Sequence, residues 1–339
     1  MADDVWRIDY QMAPNANAEE VSREEAVRDR LERQFGKDVD CELVWVGPYA
    51  YRSQCIDKLR MGSVFFLGDA VKIVSPFGAR GGNTGISDAD NLAWKLAAVC
   101  KAMASPALLD SYHHERLEAA KQNVLVTNRT ARFLRPADGM ERIFRSAAIS
   151  LAKQYSFARQ FVNTGRMAVA NAYTRSAACA DSGGFSAQNV AFWFDAGGAK
   201  GGTLNDLLLW CEGRMLLLVF GHISAVDVPR FRDMALQRPV RVVQVLGAWP
   251  GHGSKTGPKA QPDAQDQSHP VAVEHVYDLQ GHLRRATLGP SHRWVLVRPD
   301  AYVVGSGPSG PKWRGEVTAM LSRSMGNTSA AEAVTGGTA

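Results

Sequence analysis

One contiguous block between Arg60 and Leu96 constrains the fold more than any other part of the chain. It contains Ser63-Val64-Phe65-Phe66-Leu67, a short apolar run that predicts a buried strand, leading straight into Gly68-Asp69-Ala70. Ser75-Pro76-Phe77-Gly78 follows, then the glycine-dense Arg80-Gly81-Gly82-Asn83-Thr84-Gly85. A helix comes next, with Leu92, Leu96, Val99 and Met103 on one face. A strand ending at Gly-Asp places a carboxylate at its C-terminal edge, where open α/β sheets bind ligands. Such a carboxylate accepts hydrogen bonds from sugar or ribityl hydroxyls. Pro76 stiffens the turn. Gly81, Gly82 and Gly85 let backbone amides approach a ligand, and the helix behind them aims its electropositive N-terminus at the same place. Taken singly, Gly68-Asp69 is a cap and the glycines are a loop; their ordered combination points to a cofactor site.

The composition frames this block. The chain has 339 residues, 45% hydrophobic and 22% charged, which fits a globular protein and excludes a disordered or collagen-like one. At roughly 150 residues per domain, two domains are expected. No apolar run approaches the roughly 18 residues of a membrane span. The Met1-Ala2-Asp3-Asp4 start lacks a basic region followed by an apolar one, so no secretory signal is expected. Cysteines at 41, 55, 100, 179 and 211 form no C-x-x-C pair, which argues against a zinc ribbon and a dithiol site and favours a cytoplasmic, reducing location. The net charge is +5, and between Arg129 and Arg175 only Asp138 and Glu141 are acidic. Those arginines lie at helical spacings. They predict a solvated helix face or a subunit contact, not a nucleic-acid surface.

Along the chain, strands are expected at Val5–Tyr10 and Glu42–Val46, and a polar helix over Arg23–Phe35 closed by Gly36. Long helices are expected from Leu108 to about Arg132 and from Met140 to about Val162. Residues 181–203, rich in Gly, Ala and Ser, predict a linker. Strands follow at Met215–Phe220, Val240–Leu246, His275–Tyr277 and Trp294–Val297, then a last helix near Trp313–Met325. Residues 249–270 predict a mobile loop, and 327–339 a disordered tail.

The block resembles the second flavin-binding motif of the FAD-dependent aromatic hydroxylases, the single-component flavoprotein monooxygenases, and is most similar to the phenol and 3-(3-hydroxyphenyl)propionate hydroxylase branch. Leu108-Leu109-Asp110-Ser111-Tyr112 with Glu115-Arg116, and Val162-Asn163-Thr164-Gly165-Arg166, are similar to that family's helical region. Val276-Tyr277-Asp278-Leu279-Gln280-Gly281 and Val297-Arg298-Pro299-Asp300 resemble the branch's C-terminal thioredoxin-like domain. The resemblance implies an α/β chain: part of a glutathione-reductase-like FAD/NAD(P)-binding fold with substrate-domain strands and helices over 1–180, the linker, and a thioredoxin-like domain over 204–326. It implies FAD as cofactor, NAD(P)H as reductant, O2 as oxidant and a small phenolic substrate, with a homodimer or a complementing N-terminal half as the protein partners. Gly68 and Asp69 would meet the ribityl or ribose hydroxyls, Pro76, Phe77 and Gly78 the isoalloxazine ring, and Gly81, Gly82, Asn83 and Thr84 the pyrimidine end. No metal and no general base are assigned.

Three departures carry expectations of their own. Lys72 stands where the family has His after Gly-Asp-Ala-Ala, which puts a longer cation near the cofactor. Nothing before Gly68 resembles the family's opening G-x-G-x-x-G turn, so the chain is expected to be the C-terminal portion of a longer hydroxylase, with a non-catalytic module as the alternative. Gly305-Ser306-Gly307-Pro308-Ser309-Gly310 satisfies G-x-G-x-x-G but has no strand ending in an acid at the right distance, so a loop is expected there. Gly305 itself stands where the family suggests an arginine. His113-His114-Glu115 predicts a solvated helix face, Tyr112 and Arg116 helix packing. Trp45, Tyr49, Tyr51 and Arg52 either border a substrate pocket or pack in a sheet.

Overall fold

The structure is a computed structural model that describes residues 4–10, 12–13, 15–37, 40–49, 53–74, 80–137, 139–162, 169–180, 183–194, 200–223, 227–247, 274–287, 292–308 and 312–327. The chain divides into two compact units, Met1–Arg52 and Ser53–Ala339. In the first, α1 (Ala18–Ser22) starts at Asn17, whose side chain accepts a hydrogen bond from the Glu19 amide at 3.0 Å. The expected polar helix is α2 (Glu24–Phe35), and it ends at Gly36, whose φ of +99° suits glycine. Val5–Tyr10 and Glu42–Val46 do not pair into a sheet among the described residues, contrary to the expectation from alternation. Alternation gives a strand two faces, but a strand forms only where another edge supplies its hydrogen bonds. Trp6, Trp45 and Tyr49 are accordingly exposed, and Tyr51 and Arg52 lie outside the described residues.

The second unit opens with short pairings. β1 (Gln54–Cys55) pairs antiparallel with β4 (Lys72–Ile73), and β2 (Arg60–Met61) with β3 (Val64–Phe65). The expected buried strand over residues 63–67 is therefore a two-residue hairpin arm, with Val64 56% exposed. Among the described residues no further strand covers it. A 3-10 turn, Gly68–Ala70, leads into β4. Then come α3 (Arg80–Cys100), α4 (Leu108–Leu134) and α5 (Met140–Gln154). The single helix expected to reach Val162 breaks at Tyr155, which is extended (φ −120°, ψ 129°) with its ring 5.9 Å from that of Phe157. A 3-10 turn and the one-turn α6 (Arg159–Val162) follow. Arg129, Arg132, Arg135, Arg142, Arg159 and Arg175 are exposed, as a solvated basic face requires.

The remainder is a seven-stranded sheet. Its elements are β5 (Ala191–Trp193), β6 (Gly201–Thr203), α7 (Leu204–Trp210), β7 (Met215–Phe220), α8 (Val228–Gln237), β8 (Val240–Leu246), β9 (Glu274–Tyr277), α9 (His282–Thr287), β10 (Trp294–Val297), β11 (Val303–Gly307) and α10 (Trp313–Ser324). The strand order is β11-β10-β7-β8-β9-β5-β6, with β7, β8 and β9 parallel and the rest antiparallel to their neighbours. Every residue of β7 is buried, because helices cover both faces of the sheet. Met215, Leu217 and Val219 meet Trp94 and Ala98 of α3, Phe231 of α8, and Val317 and Leu321 of α10. Leu216, Leu218 and Phe220 meet Leu204 and Leu207 of α7 and Leu283 of α9. The helix that carries the glycine-rich block thus leans on the C-terminal sheet.

Two expectations change here. Within 181–203, read as a linker, β5 and β6 extend the sheet, and residues 183–187, with Ala180, lie along β11: Ala180 N donates to Val304 O at 2.7 Å and Gly184 N to Val303 O at 2.8 Å. Small residues there reflect close backbone contact, not slack. The G-x-G-x-x-G match begins inside β11, where Gly307 pairs with Trp294 and an added methyl would sit 2.8 Å from the indole. At Gly305 it would sit 2.7 Å from the Met320 sulfur, which leaves no room for an arginine side chain in this packing. The segments 249–270 and 328–339 lie outside the described residues. No helix among the described residues is long and apolar enough to cross a membrane.

Gly184 makes the first test. Its φ is +81°, and a methyl group on it would lie 2.1 Å from the Tyr173 carbonyl oxygen. Gly184→Ala should lower stability by about 1–3 kcal/mol or more, read from urea unfolding.

Candidate functional site

The Gly68–Ala70 turn and the start of α3 form one corner. Gly68 takes φ +60°, and a methyl group on Gly85 would sit 3.3 Å from Gly68 Cα, so the two glycines let the turn lie against the helix. The Gly68 amide donates to Asp88 Oδ2 at 3.0 Å. The glycine-rich run is helical from Arg80 onward, not the loop its composition predicts. The first described turn of α3 carries no acidic side chain, which suits an electron-rich group near this end of the helix.

The expected site residues separate on this corner. Asp69 is exposed on the turn, with no hydrogen-bond partner among the described residues. Gly82 and Asn83 are exposed, and a methyl group on Gly82 would meet nothing within 4 Å. Gly81 is half-buried beside Val74. Thr84 is buried and donates its hydroxyl to Arg80 O at 2.7 Å, so its side chain turns into its own helix. Pro76, Phe77 and Gly78 lie outside the described residues.

Behind the corner lies a buried charge network that includes Glu115, expected on a solvated face, and Tyr112 and Arg116, expected to serve helix packing. Asp88 accepts from Lys72 Nζ at 2.6 Å through Oδ2 and from Arg116 Nε at 2.7 Å through Oδ1. Lys72 is 2% exposed, so it is the counter-ion of Asp88 and not a mobile cation beside the turn. Arg116 also donates to the Tyr173 hydroxyl at 2.8 Å. Tyr112 donates to Phe66 O at 2.6 Å, tying the chain just before the turn to α4.

Farther in, Glu115 is fully buried between Arg298, at 2.6 and 2.9 Å, and Lys95, at 2.7 Å. Asn91 donates to Glu115 at 2.8 Å and to Asp300 at 3.0 Å. Arg298 also pairs with Asp300, and its guanidinium carbon lies 5.2, 5.6 and 5.4 Å from the ring centres of Trp94, Tyr173 and Tyr302. Burial alone would raise the Glu115 carboxyl; Arg298 and Lys95 more than offset it and hold it well below the ordinary carboxylate range. Burial lowers the Lys95 ammonium to about 8, with Glu115 opposing the shift. His113 accepts from the Leu59 amide at 3.2 Å, and His114 stays on the exposed side of α4. The missed signal was spacing: Asp88, Asn91 and Lys95 lie at i, i+3 and i+7 on α3, one face carrying only polar groups.

Residues 2–127 match a family model described as an FAD binding domain. Among curated relatives, the tetracenomycin B2 monooxygenase-dioxygenase of Streptomyces olivaceus is 48% identical over 79 residues, 23% of this chain and 15% of that protein. The 3-(3-hydroxy-phenyl)propionate/3-hydroxycinnamic acid hydroxylase of Escherichia coli is 32% identical over 117 residues, 34% of this chain and 21% of that protein. Among solved structures, the flavin-dependent monooxygenase PieE, in complex with FAD and substrate, superposes with a TM-score of 0.68 at 21% identity, over 93% of this chain and 56% of that one. The chain thus spans little more than half the length of that structure.

Breaking the Glu115 pair is the second test. Glu115→Gln leaves Arg298 and Lys95 with less compensation and should cost about 3–5 kcal/mol in urea unfolding at neutral pH. The folded carboxyl lies below its free value of 4.5, so its contribution is complete above that pH and is lost as pH falls through the folded value. The variant should flatten this acid limb of the stability profile. Residues 2–127 carry the FAD binding domain match, within a chain whose fold resembles part of that flavin-dependent monooxygenase structure.

Proposed function

We propose that the chain is the part of an FAD-dependent aromatic-ring hydroxylase that holds the flavin's ribityl and pyrimidine side. The observation that carries this reading is the corner itself, inside the matched segment: an exposed carboxylate at Asp69, an open approach at Gly82, and a first helical turn without acidic side chains beside them. These features fit the group. Asp69 would accept hydrogen bonds from ribityl or ribose hydroxyls, with Gly68 supplying the turn. The amides of Gly81, Gly82 and Asn83 would face the electron-rich pyrimidine end, where the α3 dipole favours negative charge. Pro76, Phe77 and Gly78 would line the ring, by family resemblance alone. Thr84 would act through its place in the helix.

When bound and reduced by NAD(P)H, the flavin would supply the activation of O2 for transfer of one oxygen atom to a phenolic ring. This chain's residues would bind and orient it. The hydroxylase names of the relatives support the aromatic substrate, and the branch's phenolic acids are the narrower proposal.

We read the sheet after Thr203 as thioredoxin-like. The β11-β10-β7-β8 order supports this, with β7-α8-β8 parallel and β10 and β11 antiparallel. Cys211 stands alone in it, buried, with burial pushing its thiol up to about 12, so the proposed role is packing and not dithiol exchange. A second reading, a module active only with a complementing segment, is favoured by the exposed apolar Met61, Val64 and Leu67 on the β2–β3 hairpin and after it.

Visible absorption after incubation with FAD and dialysis separates the two. Retained flavin bands, reduced at least about 10-fold in occupancy at limiting FAD by Asp69→Ala, support the cofactor corner; one lost hydrogen bond to a charged group suffices for that change. Phenol-dependent NAD(P)H oxidation by the loaded chain would then support turnover. A folded chain that retains no flavin overturns autonomous catalysis and leaves the second reading.

A further inference from the structure

We propose that Asp88 and Gly85 are positioning residues that set the Gly68–Asp69 turn for the cofactor, a step that rests on the flavin reading above. Asp69 makes no hydrogen bond among the described residues, so nothing on its own side chain fixes where its carboxylate points. The backbone beneath it does. Asp88 Oδ2 holds the Gly68 amide, and the same carboxylate is itself fixed by Lys72 through Oδ2 and Arg116 through Oδ1. All three side chains are at most 1% exposed. A carboxylate anchored by two buried cations is a rigid acceptor, because moving it would break two charge-assisted bonds.

Gly85 supplies the second constraint. It lies in the second turn of α3, where glycine is a poor helix former, and the close approach of Gly68 accounts for it. An added methyl group would sit 3.3 Å from Gly68 Cα, tighter than ordinary contact, and would meet backbone that cannot swing aside like a side chain. The turn would have to lift from the helix. Tyr112 holds Phe66 O and Gly68 O accepts from Val71 N at 3.0 Å, so the displacement would concentrate on residues 67–70, which include Asp69.

The two residues make opposite demands on stability, and that separates positioning from general support. Gly85→Ala improves helix propensity and touches no ion pair, so a glycine with no role at the turn would give a melting temperature equal to or above the parent's and unchanged FAD affinity. The proposal expects the same melting temperature with FAD affinity, from titration of flavin fluorescence on the full chain, weakened at least about 10-fold. It also expects faster hydrogen exchange at the Gly68–Ala70 amides in the cofactor-free protein. Asp88→Ala should speed exchange at the same amides and weaken FAD similarly; if that variant does not fold, Gly85→Ala carries the test alone. Parent-like exchange at residues 68–70 in Gly85→Ala overturns the proposal. Faster exchange there, combined with FAD binding that neither Gly85→Ala nor Asp69→Ala changes, leaves the positioning intact and overturns the cofactor reading instead.

Discussion

The Glu115 carboxylate ties the helices to the sheet. A charge with no solvent contact costs several kcal/mol unless it is paired and hydrogen-bonded, and the counter-charges of Glu115 are Arg298, from the end of β10, and Lys95, from α3. A small slide of α3 or α4 against the sheet would strand one of these charges. The apolar contacts of Trp94 and Ala98 with β7 supply burial but tolerate sliding; the ion pairs do not. The sheet thereby fixes the helices, and the helices, through Asp88, fix the Gly68 turn. Tyr173 bridges the two parts of the network, its hydroxyl on Arg116 and its ring stacked 4.2 Å from that of Tyr302.

Elements with a single physical cause were legible in the sequence. The β7 run is apolar at every position because both its faces are covered, and the helix after Leu108 shows its period over 27 residues. Gly36 ends α2 because the chain needs a positive φ there. Elements whose cause lies elsewhere in the chain were not legible. Val5–Tyr10 alternates like a strand, but no partner edge is present among the described residues. The 181–203 stretch looks like slack chain, yet Gly183 and Gly184 mark places where one backbone passes close to another.

The candidate site divides along the same line. Gly68, Asp69, Gly82 and Asn83 were legible because a turn and a helix start have local chemistry. Gly81 to Gly85 were read as loop because glycine disfavours helix interiors; the close pass of Gly68 explains only Gly85, and Gly82 faces open space. Asp88, Glu115, Lys95 and Arg298 were missed because charge in a sequence says nothing of burial. Glu115 and Arg298 lie 183 residues apart, and no local pattern announces such a pair.

Lys72 shows how one substitution reads differently once its surroundings are known. As a sequence departure it put a flexible cation near the cofactor. On β4 its backbone is held by the pairing with β1, and its ammonium reaches Asp88 at 2.6 Å inside the protein. Lysine brings a compact charge with several donors on a long stem, so it can span from a strand to a buried carboxylate that a ring on the same Cα would approach with only two nitrogens and less reach. It shares Oδ2 with the Gly68 amide, and that oxygen has lone pairs for both donors. Lys72 and Arg116 together fix the carboxylate that holds the Gly68 amide, so the turn's anchor rests on Lys72 as well as on Asp88. The lysine supports the turn from within the buried network.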